Sequence, residues 1–271
     1  MERTYPRIRL QAVGWKSMVF LAVGLFGLGW LLVTPQGLLG HADAVGYAVC
    51  HRIDLRSFHL GDRQLPMCAR CTGMYLGAVL GLVYQAFLGR RRGGAPSWLV
   101  IIPLGFFVAA FAFDGLNSFI SLFPLPHFYD PNNTLRLLTG LGMGLVIALS
   151  LYPAFNQTVW QDWDSRPALS GVLPFLGLLA ATGVLAAAVL SGNPLLLYPL
   201  ALLSSAGVLL LLSMIYAMIW LIVLRKENLC LRLSQLWLPL AGGLGMALAQ
   251  IAFLDLVRFL LTGTWDGFHL G

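Results

Sequence analysis

The side chains best suited to chemistry lie in one short stretch: Cys50-His51-Arg52, then Arg56-Ser57-Phe58-His59, then Pro66-Met67-Cys68-Ala69-Arg70-Cys71-Thr72-Gly73. Cys68 and Cys71 have the two-residue gap of a metal knuckle or a redox pair. Pro66 suits the first turn of a helix, and sulfurs three positions apart at a helix start share one face. The positive helix end and Arg70 both favour the thiolate, the form that metal binding and redox chemistry need. Adding Cys50 and one imidazole gives a set of three cysteines and one histidine, the tetrahedral arrangement preferred by zinc and open to other transition metals. His51 neighbours Cys50, so both binding one ion implies strain, and His59 or His41 is the alternative fourth ligand. Three chemistries are therefore open: a metal centre, a redox dithiol, or the structural disulfide that paired cysteines adopt outside the cytosol. A c-type haem is disfavoured, because Thr72 stands where that attachment motif needs histidine. Cys230 reads as a plain buried thiol.

The elements that must position these residues are membrane helices. The 271 residues are 58% hydrophobic and only 10% charged, with a mean hydropathy of +0.80, against about a quarter charged in soluble domains. A soluble enzyme core, a coiled coil and a disordered chain are excluded. The net charge of +6 does not point to nucleic acid, since the basic residues sit in short clusters between apolar runs. About 20 apolar residues cross the hydrocarbon layer. Seven such runs stand out, near Ser17 to Val33, Cys71 to Leu88, Ser97 to Asn117, Leu135 to Leu151, Leu169 to Leu190, Leu195 to Leu224 and Leu236 to Leu261. The fold class is all-α, a polytopic membrane helix bundle of about seven spans. The first run is read as an uncleaved span, because the small-x-small site at Ala42 to Ala44 lies well beyond its apolar core. Eleven of the seventeen Lys and Arg fall on one side if the N-terminus is cytoplasmic, which sets that orientation. His41, His51, His59, His127 and His269 then share the outer face with Cys50, Cys68 and Cys71.

Two further positions are costly for a membrane chain. Asp114 ends an unbroken apolar run, with Asn117 one helical turn later. An intramembrane carboxylate costs roughly 2.5–3.5 kcal/mol on insertion scales, so it is expected to face a partner or a wet cavity. Arg136, at the start of the fourth run, is the expected partner. Gly73, Gly77 and Gly81 on the second run, and Gly140 and Gly144 on the fourth, repeat at the spacing that lets helices approach closely. If those faces meet, Cys71 and Arg136 share one end of the seam. Asp255 and Arg258, i,i+3 on the last run, read as a structural pair. Arg90-Arg91-Arg92 reads as an inner turn against anionic lipid headgroups.

The string Cys50-His51-Arg52, Arg56-Ser57, Pro66, Cys68-Ala69-Arg70-Cys71-Thr72-Gly73 resembles the signature of a prokaryotic membrane family known as domain of unknown function 2085. Asp114-Gly115 and Arg136-Leu137-Leu138-Thr139-Gly140 resemble its second motif. The likeness runs roughly from Cys50 to Gly144. It implies a multi-span protein of a prokaryotic cell membrane with a cysteine-rich site, and it supplies no reaction. Residues 1–155 then form a family-like core with four spans and the Cys/His loop at 34–70, and residues 156–271 add three spans.

The reading that follows is an outward-facing metal centre at Cys50, His51 or His59, Cys68 and Cys71, beside an Arg/Asp pocket. Arg52, Arg56, Arg70 and Asn117 are the expected substrate-binding residues, and Asp114 and Arg136 the expected catalytic ones. The substrate class is lipid-linked or anionic. Two alternatives stand beside it: a thiol-disulfide oxidoreductase coupled to a membrane quinone, and a non-enzymatic transporter or scaffold.

Overall fold

Apolar runs of this length become helices because hydrocarbon offers backbone N–H and C=O groups no partner outside the chain. The computed structural model describes residues 11–123 and 126–267, with side-chain surroundings from Ser17 onward. Its helices are α1 (Gln11–Val33), α2 (Leu38–Val49), α3 (Ala69–Leu88), α4 (Trp98–Ile120), α5 (Asn133–Val159), α6 (Val172–Leu190), α7 (Pro194–Val223) and α8 (Trp237–Thr262). Six of them, α3 to α8, are long and apolar enough to cross a membrane; α1 and α2, bent by 101° at a short break, bring the count to seven when taken together. Arg3, Arg7, Arg9 and His269 lie outside the described residues.

The seam inferred from glycine spacing is present. A Cβ on Gly73 would strike the backbone of Leu137 and Leu141, one on Gly77 the carbonyl of Leu141, one on Gly140 the carbonyl of Arg70, and one on Gly144 that of Met74. Lipid tails are as apolar as leucine, so helices gain by backbone proximity and packing rather than by escape from water. The α3–α5 pair is therefore the axis of the molecule. Helices α7 and α8 pack together beside it, α1 rests on α8, and α4 covers the far side of α5.

The connection at 34–70, expected as a loop, carries structure of its own. Helix α2 packs on α7 and α8, and a hairpin follows, β1 (Ser57–Leu60) with β2 (Arg63–Cys68), antiparallel. Gly61, at φ +63°, opens its two-residue turn. The hairpin does not replace the cysteine helix start; it delivers Cys68 as the residue capping α3. At the opposite end of α3, β3 (Arg92–Gly94) pairs in parallel with β4 (Asp164–Pro167). That end also holds two crevices of about 470 and 370 Å³, so neither of these cavities lies at the cysteines.

Candidate functional site

Three chain segments bring three sulfurs to one point. Cys50 caps the C-terminus of α2, Cys68 ends β2, and Cys71 sits in the first turn of α3. Their Sγ atoms all lie within 4.8 Å of one another, and all three are free thiols. The chain turns sharply after Cys50: Arg52 adopts φ 51°, a left-handed conformation that costs a residue with a side chain, and its N–H donates to the Cys50 sulfur at 3.4 Å. The Cys68 N–H donates to the same sulfur at 3.3 Å. Thr72 ties the other side of the turn, its hydroxyl donating to the Met67 carbonyl at 3.2 Å. The motif residues thus fix the sulfurs through backbone geometry, which explains their spacing.

The three thiols do not ionise alike. Hydrogen bonds from Cys50 and Cys71, helped by the charge of Arg70, hold Cys68 well below the ordinary thiol range. Cys50 is pushed up to about 12, first by its hydrogen bond to Cys68 and then by burial. Of the three free thiols, Cys68 is therefore the one whose thiolate form is favoured.

Among the described residues no histidine joins this group. His51 is exposed, His59 Nε2 lies 2.9 Å from Asp54 Oδ1, and His41 Nδ1 is 3.0 Å from the Thr34 hydroxyl. Of the expected three cysteines and one histidine, the three cysteines are the ones brought together. Cys50 is buried, whereas its chain neighbour His51 is exposed. His127 sits on Asp130 at 3.0 Å, in the loop before α5.

Beside the sulfurs is a polar side-chain cluster between the N-terminal ends of α3 and α5 and the C-terminal end of α4. The partner of Asp114 is Arg70, not the expected Arg136. Arg70 Nε donates to Asp114 Oδ2 at 3.1 Å and its Nη2 joins the same oxygen. The Tyr129 hydroxyl donates to Oδ1 at 2.8 Å, and the Thr139 hydroxyl to Oδ2 at 3.3 Å. Asp114 is 1% exposed, and its two oxygens accept from Arg70, Tyr129 and Thr139, so it anchors these neighbours. Tyr129 is held protonated, its pKa pushed up to about 12 by burial and then by the hydrogen bond to Asp114. Arg70 wins over Arg136 because Gly140 packs on the Arg70 carbonyl, which seats the first turn of α3 directly against α5.

Arg136 instead donates from Nη1 to Asn133 Oδ1 at 3.0 Å, within electrostatic reach of Arg56, Arg70, Asp114 and Cys68. Arg56, at the hairpin entry, donates from Nη2 to the Ser118 carbonyl at 2.9 Å. Burial and the nearby Arg70 lower its pKa. Of the four residues expected to face a substrate, Arg56 and Arg70 join this polar cluster. Arg52 turns to the other side of the sulfurs, paired with Asp43 at 3.1 Å and donating to the Trp265 carbonyl at 3.2 Å. Asn117 organises the loop before α5, accepting from Phe128 N at 2.8 Å and donating to the Tyr129 carbonyl at 2.9 Å. Ser118, Tyr129, Asn133 and Thr139 were not singled out by sequence; only Thr139 had a signal, its place in the Arg136–Gly140 motif.

The last helix also reaches the site. Arg258, within electrostatic reach of Asp255 as expected, also donates from Nη1 to the carbonyls of Tyr47 and Cys50, each at 2.6 Å, closing the C-terminal end of α2. Asp255 accepts from Trp30 Nε1 at 3.0 Å. A basic side chain on the last carbonyls of a helix satisfies both their hydrogen bonds and the helix dipole.

The comparisons with known proteins cover the stretch that holds these residues. The family model described as "Predicted membrane protein (DUF2085)" matches residues 50–150, which hold the three sulfurs, Asp114 and Arg136. An uncharacterised protein of Methanocaldococcus jannaschii is 28% identical over 122 residues, 44% of this chain and 72% of that one. An uncharacterised protein of Methanothermobacter thermautotrophicus is 34% identical over 101 residues, 37% of this chain and 82% of that one. No solved structure matches the chain. With helices able to span a bilayer and a relative covered over most of its length, this chain is a membrane protein and belongs to the family of domain of unknown function 2085.

Proposed function

We propose that Cys50, Cys68 and Cys71 hold one zinc ion at the outward face of the membrane, and that the protein is an enzyme acting on a lipid-linked or anionic substrate at the neighbouring polar cluster. The observation that carries this is the convergence of three thiol sulfurs within 4.8 Å from three separate elements. A thiolate set of this kind selects zinc among common hard and borderline cations. Three protein ligands leave one position for water or a substrate atom, the format of catalytic rather than structural zinc. Zinc held by these cysteines would supply a Lewis acid.

The chain's own residues do the rest. Arg56 and Arg136 neutralise the substrate's negative charge. Arg70, held by Asp114 and Ser118, sets the distance between the sulfurs and that charge. Asp114 is a positioning residue. Residues 1–155 carry this machinery, and α8 braces it through Arg258.

Elemental analysis of protein purified without chelator or affinity metal tests the reading, with Cys68→Ser in parallel. About one zinc per chain, lost in the variant, is the expected result. Absence of metal from the wild type would overturn it and leave the three thiols as a redox or disulfide-forming cluster, which a reversible thiol titration would then identify.

A further inference from the structure

From the disposition of the arginines we infer that the polar cluster is a binding site for a phosphate-class oxyanion, gripped by Arg56 and Arg136. The inference deepens the reading above and rests on it for treating that anion as part of the substrate.

Three guanidinium groups, Arg56, Arg70 and Arg136, share the polar cluster with one carboxylate, Asp114. The guanidinium groups therefore outnumber the carboxylate there. Arg136 is 6% exposed and its Nε has no hydrogen-bond partner, although a buried guanidinium donor left unpaired is costly. The fold holds it in place nonetheless: Asn133 accepts from Arg136 and donates to the carbonyls of Leu55 and Ser57, at 3.3 and 3.2 Å, on either side of Arg56. One side chain thus registers both arginines. Arg70 is not part of the grip, because Asp114 and Ser118 engage it.

The chemistry of the ligand follows from the donors. A lone carboxylate is satisfied by one bidentate arginine, whereas two guanidinium groups from different elements suit a tetrahedral oxyanion with several acceptor oxygens. Arg136 lies in the first turn of the long helix α5, whose positive end adds to the attraction for such a group. The ends of spanning helices are also where lipid phosphates lie, so a headgroup and a soluble phosphate present the site with the same chemistry.

The test is titration of the full-length protein in detergent with inorganic phosphate, followed by calorimetry, for wild type, Arg56→Gln, Arg136→Lys and Cys68→Ser. Saturable binding should weaken about tenfold or more in both arginine variants, since each loses charge-assisted hydrogen bonds. It should survive in Cys68→Ser. In a second arm, phosphatidylcholine nanodiscs with and without phosphatidic acid are compared for competition with phosphate. Competition by phosphatidic acid identifies a lipid headgroup as the source; phosphate binding without such competition identifies a soluble ligand. Wild-type protein that binds neither, or arginine variants that bind as tightly as wild type, would overturn the inference. Arg56 is only half-buried, so Arg56→Gln remains informative if Arg136→Lys fails to fold. Phosphate binding without zinc would remove only the metal reading, and zinc without phosphate binding only this one.

Discussion

At the sulfur end of the bundle Arg70 meets Asp114 with side chains 19% and 2% exposed; at the opposite end Arg91 meets Asp162 at 2.5 Å with side chains 29% and 51% exposed. Both are arginine–aspartate pairs at an end of α3, and both join segments distant in sequence. The first is buried between helices and gathers Tyr129, Thr139 and Ser118 around it. The second lies in the open, where Arg91 also stacks on Trp160, its guanidinium carbon 4.2 Å from the ring centre. Arg166 and Asp164 nearby are a local pair of the same exposed kind. The difference teaches that the same two residue types fix a site at one end and merely trim a surface at the other. Burial decides, because removing one member of a buried pair strands the other charge, whereas water replaces a lost surface partner.

That contrast can be broken directly. Asp114→Ala should cost the most, about 3–5 kcal/mol, because it leaves Arg70 without its counter-charge and Tyr129 without its acceptor. Thermal unfolding in detergent, read against wild type, measures it. A cost as small as that of a surface substitution would mean that water reaches Arg70 freely.

A finer probe is Tyr129→Phe, which removes one hydrogen bond to Asp114 and should cost about 1 kcal/mol. Its pH dependence has a definite sign. The Tyr129 pKa rises from 10.0 to about 12 in the folded protein, so its contribution is whole below pH 10 and is lost as pH climbs through 12. The difference in stability between wild type and Tyr129→Phe should therefore be flat below pH 10 and shrink above it; a difference that fell between about pH 6 and 8, the range in which histidines titrate, would contradict the assignment.

Asp162→Ala, at the opposite end, should have the smallest effect, below about 1 kcal/mol and diminishing as salt is added. Unfolding at low and high ionic strength checks it. An effect matching that of Asp114→Ala would erase the distinction between the two ends.

The seven apolar runs, their approximate limits and the glycine seam were legible in the sequence because each follows from one-dimensional rules. Span length is set by hydrocarbon thickness, and small residues four apart necessarily share a helix face. The Cys50 to Gly73 motif likewise announced a site, and its cysteines do meet. Less visible was the hairpin: short strands around a Gly-Asp turn are a weak signal beside a stretch rich in charged and cysteine residues. The histidines escape sequence reasoning for a related cause. Adjacency in sequence does not decide burial, and Cys50 is buried while His51 beside it is exposed.

Sequence by itself determined that this is a membrane bundle, roughly where its helices begin and end, and which three cysteines belong to its polar end, since hydropathy, spacing and motif are properties of the chain alone. Only the tertiary structure decided the partners. Asp114 chose Arg70 over Arg136 because the glycine seam presses α3 onto α5, and Arg258 closes α2 because α8 brings it onto the carbonyls of that helix end. Buried charges pair with whatever the packed backbone places in reach, and that reach is a property of the fold.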